Sequence, residues 1–174
     1  MKLTREPAIT ALAAANAGDL STRASAVLAR LEWPGKPGLA AAATPLTPPE
    51  QLRFEAGRTV YQNLCQACHQ ADGRGQEKLA PPLIGSEFAL AASSSIPIRI
   101  VLNGKEGSVA LMPPLGNVLS DEQIAAALTY IRREWGHTAS PIDAAAVAAA
   151  RRETAGRARP WTTDELTRMM RGGG

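Results

Sequence analysis

The chain has 174 residues, 45% of them hydrophobic but only 4% aromatic, and a formal charge of +3 from 19 basic and 16 acidic residues. So even a mixture gives no basic face for nucleic acid, and no run approaches the ~18 consecutive apolar residues of a membrane span. Much of the apolar fraction is alanine, which favours helices but leaves few bulky side chains for a core. A cofactor or a neighbouring domain is therefore expected to complete that core.

In chain order, MKLTREPAITALAAANAG is alanine-rich, and Glu6 and Pro7 break what would be the basic start of an export signal. It reads as an amphipathic helix over 4–16, with a second over 19–32 after the break Asn16-Ala17-Gly18. Trp33-Pro34-Gly35-Lys36-Pro37-Gly38 closes that section, and Pro45, Pro48 and Pro49 mark a linker. A helix then starts near Pro49, which suits a first helical position, and runs to the cysteines. Gly57 lies inside it, where glycine costs ~1 kcal/mol relative to alanine, so close approach of another element is expected there. Residues 70–87 read as loop because of Gly73, Gly75, Pro81, Pro82 and Gly85. Ile96 to Leu102 is a short helix or extended piece, and 107–117 is a second loop containing Leu111-Met112-Pro113-Pro114-Leu115. Ser120 opens the clearest helix, with Gln123 completing a capping box, Ile124, Leu128, Ile131 and Trp135 as its apolar stripe and Gly136 as its stop. A tail follows, with helices expected from Pro141 to about Thr154 and from about Thr163 to Met170. Three segments result: an extension and linker over 1–45, a central domain over 46–138 and a helical tail over 139–174.

The two cysteines of the chain fall together in Cys65-Gln66-Ala67-Cys68-His69, with one of its two histidines directly after them. Three chemistries compete for this block. A redox disulfide of this spacing sits at the start of a helix after a buried strand, whereas here the pair ends a helix. Structural zinc needs four ligands, and there is no second cysteine pair; His137 would serve only if Cys68 and His69 bound one ion side by side. The third is covalent haem attachment, whose signature is C-x-x-C-H. Two thiols one turn apart can each add to a vinyl group on one porphyrin edge, which leaves the adjacent histidine under the iron. Of the four methionines, Met112 alone lies in a proline-stiffened loop between this motif and a long amphipathic helix, and it is the candidate for the opposite axial position.

CQACH, the following ADGRG, APPLIGS, LMPPLG and the helix DEQIAAALTYIRREWG, in that order over roughly residues 50–137, resemble a class I cytochrome c. The resemblance implies an all-α fold, a small globule around haem whose first and last helices cross, here with an extra N-terminal helical pair and a C-terminal helical tail. It implies one covalent haem c on Cys65 and Cys68, with His69 and Met112 as axial ligands and the Pro81 carbonyl (or that of Pro82) accepting a hydrogen bond from His69. Gly57, Tyr61 and Tyr130 match scaffold positions of the family. Arg99 and Lys105 are candidates for neutralising the haem propionates.

The flanks are similar to cytochrome modules of periplasmic pyrroloquinoline-quinone sugar dehydrogenases. That implies an electron carrier rather than an enzyme, working in the bacterial periplasm, with a dehydrogenase and the respiratory chain as redox partners. An exported chain without a clear leader is expected to be a trimmed form or part of a longer protein. The competing reading is a five-coordinate haem enzyme, or a gas or peroxide sensor, with Met112 off the iron.

Overall fold

The computed structural model describes residues 3, 7–11, 19–28, 30–31, 44–107 and 110–172. The chain divides into two units, Met1–Ala42 and Ala43–Gly174. In the first, α1 spans Asp19–Leu28, opened by the i,i+4 pair Asp19–Arg23; most of the helix expected over 4–16 lies outside the described residues.

The second unit carries α2 (Pro48–Val60), a π-helical turn (Tyr61–Cys65), α3 (Gln66–His69), α4 (Ser95–Asn103), α5 (Asp121–Arg133), α6 (Ala144–Glu153) and α7 (Thr163–Gly172). Only isolated bridges join extended segments, so among the described residues the fold is all-α. Prolines occupy the first turn of α2, where they remove no helical hydrogen bond, and the Glu50 carboxylate accepts from the Thr47 N–H at 2.7 Å. At α5 the Ser120 hydroxyl accepts from the Gln123 N–H and the Gln123 amide oxygen accepts from the Ser120 N–H, the reciprocal cap expected from the sequence.

The core forms where α2 crosses α5. A Cβ on Gly57 would lie 2.0 Å from the Ala126 carbonyl oxygen, so glycine is required for the two backbones to meet. Around the crossing, Phe54, Tyr61, Tyr130 and Trp135 stack with neighbouring ring centroids 5.2–5.8 Å apart. Trp135 reaches this cluster from outside the helix. α5 ends at Arg133, and Trp135 itself takes φ +53°, followed by Gly136 at φ +80°. Every residue from Ile124 to Arg132 is buried, a wider contact than the single stripe expected. Ile124, Leu128 and Ile131 each contribute about 1.5–3 kcal/mol through that burial.

Residues beyond α5 pack within this same unit. Thr129 Oγ1 donates to the Ile142 carbonyl and accepts from the Ile142 N–H. Trp161 and Leu166 form a second apolar cluster with Ile96 and Ile100 of α4, and Met169 packs against it. The Trp161 ring lies between the guanidinium groups of Arg157 (3.4 Å) and Arg99 (5.5 Å). Glu165 closes this corner, accepting from Arg157 Nη2 at 2.7 Å and from the Thr162 N–H at 2.9 Å. The Thr162 N–H first, and then Arg157, hold the Glu165 carboxyl down to about 2. A depressed carboxylate pKa contributes stability above its ordinary value and loses it as pH falls towards the folded value. Acidification from about 4.5 to about 2 is therefore expected to loosen α7. The protection factor of the Leu166 amide, which bonds the Thr162 carbonyl, should fall in that window, and Glu165→Gln should remove the dependence.

Candidate cofactor site

α2 does not run straight to the cysteines. The turn Tyr61–Cys65 is π-helical, and it shifts the register of Cys65, Cys68 and His69 relative to Gly57. The helix is then stopped by Gln70, whose φ of +61° is unusual for a side-chain-bearing residue. The Tyr61 hydroxyl donates to the Gln70 carbonyl at 2.6 Å, so the residue at the helix crossing also pins the reversal after His69. Burial raises the pKa of that phenol well above its ordinary value, which keeps it a donor.

The loop then returns. Gly75 (φ +72°) brings its N–H to the His69 carbonyl, and a Cβ there would meet the Ala80 carbonyl oxygen at 2.3 Å. That close approach sets the Pro81 carbonyl 3.1 Å from His69 Nδ1, the hydrogen bond expected from the sequence. Burial lowers the His69 pKa and the Pro81 bond opposes it, with burial the larger effect. A neutral ring that donates through Nδ1–H to Pro81 carries its free lone pair on Nε2.

Met112 is set by a different device. Its N–H donates to the Lys105 carbonyl and its carbonyl accepts from the Lys105 N–H, at 3.0 and 3.1 Å. Gly104, at φ +79°, permits this pairing, since a Cβ there would lie 2.6 Å from the Met112 oxygen. Beyond Pro113 and Pro114, the Leu115 and Gly116 amides donate to the Val101 and Leu102 carbonyls at the end of α4.

Cys65, Cys68, His69, Pro81 and Met112 all line one cavity of ≈ 710 Å³. Its other walls include Leu64, Leu83, Ile100, Val101, Leu115, Leu128 and Ile131, which are all apolar. Of the two suggested propionate partners, Lys105 lines the cavity, with its ammonium 2.9 Å from Thr163 Oγ1. Arg99 does not: it pairs with Glu153 at 2.6 Å and faces Trp161. Thr163 was not anticipated as a wall of the cavity, because it lies some fifty residues beyond Met112 in a segment outside the recognisable motifs.

The donor set separates the competing chemistries. The two thiols are not joined to each other, and burial together with Cys68 pushes the Cys65 thiol up to about 11, opposite to the lowered pKa of a redox-active pair. His137 is occupied elsewhere, its Nδ1 on the Ile131 carbonyl and its Nε2 accepting from the Gly85 N–H. Among the described residues no group of three or more His, Cys, Asp or Glu side chains could hold a metal ion. Two thiols, an imidazole and a thioether on a largely apolar cavity, within the ~300–1,000 Å³ typical of ligand pockets, fit a haem.

The model of the family described as cytochrome c oxidase, cbb3-type, subunit III matches residues 53–131. Cytochrome c-554(548) of Halomonas halodenitrificans is 40% identical over 68 residues, which cover 78% of that protein and 38% of this chain. The chain belongs to the cytochrome c family. Haem-mediated electron transfer is what this family performs, and Cys65, Cys68 and His69 form its C-x-x-C-H pattern. Two longer relatives are dehydrogenase components. The cytochrome c subunit of alcohol dehydrogenase (quinone) from Gluconobacter oxydans is 31% identical over 91 residues, 48% of this chain and 19% of that subunit. The fructose dehydrogenase cytochrome subunit of Gluconobacter japonicus is 30% identical over 101 residues, 52% of this chain and 21% of that subunit. The chain thus matches about a fifth of the length of these relatives. No helix among the described residues is long and apolar enough to cross a membrane.

Proposed function

We propose that this cytochrome is a single-electron carrier whose one haem c is bonded through thioethers to Cys65 and Cys68 and ligated axially by His69 and Met112. The observation that carries this reading is that one largely apolar cavity gathers both thiols, the His69 imidazole held by Pro81 and the Met112 loop. Bound haem would supply a one-electron couple at iron. The chain's own residues would tune that couple. Pro81 holds the His69 ring in one orientation and increases the basicity of its Nε2. The Met112 thioether favours the reduced state and so raises the potential. Apolar walls from α4 and α5 would exclude water, and with His69 and Met112 both holding a bound haem there would be no open site for a substrate, which is why the domain is read as a carrier and not an enzyme.

The dehydrogenase subunits among its relatives support a dehydrogenase as electron donor, the respiratory chain as acceptor and the bacterial periplasm as the place of work. Cys65, Cys68 and His69 also require a compartment in which haem attachment is completed. The decisive experiment is mass spectrometry of the intact, denatured chain together with a visible spectrum. A mass excess of one haem with low-spin bands is expected. Colourless mature protein, or two alkylatable thiols, would overturn the reading, and high-spin ferric iron that binds carbon monoxide readily on reduction would favour a five-coordinate enzyme or sensor instead.

A further inference from the structure

Residues 139–172 lie beyond the matched region 53–131, yet they touch the Met112 loop at both of its ends. Ahead of Met112, Trp161 pairs in parallel with Lys105: the Trp161 N–H donates to the Gly104 carbonyl at 3.0 Å and the Glu106 N–H donates to the Trp161 carbonyl at 2.9 Å. Lys105 is the residue that exchanges both backbone bonds with Met112. Behind Met112, Arg151 of α6 donates through Nη1 to the Gly116 carbonyl and through Nη2 to the Leu119 carbonyl, while its Nε meets Asp121 at 2.8 Å. One guanidinium thus satisfies two loop carbonyls and locks them to the first turn of α5, a fork that lysine cannot reproduce. Leu166 and Trp161, buried against α4, anchor the segment that makes these contacts.

From this we infer that the C-terminal tail is a two-point clamp on the Met112 loop, with Arg151 and Trp161 as positioning residues that keep the thioether in place against competing ligands. The inference rests on Met112 being the axial ligand. Its physical content is an equilibrium between closed and open loop. An external ligand for the sixth position binds only the open form, so its apparent dissociation constant is the intrinsic one divided by the open fraction. Loss of the Arg151 fork leaves the Gly116 and Leu119 carbonyls to water and raises that fraction.

The test is titration of the ferric holoprotein with imidazole, read from the methionine–iron charge-transfer band, alongside amide exchange at Met112 and Leu115. Arg151→Ala should raise the apparent imidazole affinity by about tenfold or more and speed both amides, and Arg151→Lys should fall between it and the parent. Phe54→Leu, which loosens the Phe54–Tyr130 ring contact at the helix crossing and removes none of the Arg151 or Trp161 hydrogen bonds, is the control for plain destabilisation and should change the affinity by less than about twofold. Unchanged affinity in Arg151→Ala, or an equal gain in Phe54→Leu, overturns the clamp while leaving the ligand assignment intact. If the parent already binds imidazole as tightly as Met112→Ala, the ligand assignment fails and the clamp with it.

Discussion

Replacing Met112 with alanine is expected to lower the midpoint potential by a few tenths of a volt, within the ~0.8 V that axial ligands and surroundings span in haem proteins. The sign follows from the thioether's preference for reduced iron: its loss destabilises the reduced state more than the oxidised one. The charge-transfer band should vanish from the ferric spectrum, and carbon monoxide should bind the reduced protein readily. Two other methionines pack near Met112, since Met169 and Met170 border the same apolar cluster. Met169→Leu and Met170→Leu should keep both the band and a potential close to that of the parent. Transfer of either phenotype to one of those variants would mean that α7 and not the 111–115 loop supplies the sulfur. Redox titration with the visible spectrum decides between them.

The second large effect is expected at Arg132. This side chain is 2% exposed and pairs with no carboxylate among the described residues. Its Nε donates to the Ser140 carbonyl at 2.7 Å, and its Nη1 donates to the Ala89 and Ala91 carbonyls at 2.8 and 3.0 Å. Burial lowers its pKa, so the site carries a desolvation penalty that the three carbonyls offset. Arg132→Met retains the aliphatic stem but strands those acceptors, two of them deep in the protein. At ~1–3 kcal/mol for each buried group left unsatisfied, less the relieved desolvation, the holoprotein should lose about 3 kcal/mol in denaturant unfolding. The spectrum of the native form should not change, because Arg132 does not line the cavity. A loss under ~1 kcal/mol would show that water replaces the guanidinium at little cost.

Part of the candidate site was legible in the sequence because local spacing sets the C-x-x-C-H block, whereas the place of Met112 depends on its pairing with Lys105. The C-x-x-C-H block needs only neighbouring residues, and the proline-flanked Met112 announces a stiff loop. A mid-helix glycine gives warning of a crossing, which the Ala126 backbone supplies at Gly57. The π-helical turn was not legible, because Tyr61–Cys65 carries no local signal that distinguishes five-residue from four-residue hydrogen bonding. Arg132 left a trace that could have been followed. It stands four residues after Leu128 and eight after Ile124, on the apolar side of α5, whereas Arg133 points elsewhere and donates to the Thr44 carbonyl. Arg99 is a candidate propionate partner on charge alone, but its partners Glu153 and Trp161 lie more than fifty residues along the chain, so no spacing rule could reach them.

α4 has a consequence for how this cytochrome can be handled. Its residues Ile96, Pro97, Ile98, Ile100, Val101 and Leu102 are all buried, with Ile98, Val101 and Leu102 in the main core and Ile96 and Ile100 beneath the tail. Apart from the stripe Ser95, Arg99 and Asn103, this helix is apolar and covered on two sides, and neither of those sides can be left wet without cost. Clipping by a protease between α5 and α6, with loss of the tail, would bare Ile96 and Ile100 and is expected to promote self-association. The length of chain that gathers the two cysteines, His69 and Met112 and the length that keeps α4 covered are therefore different.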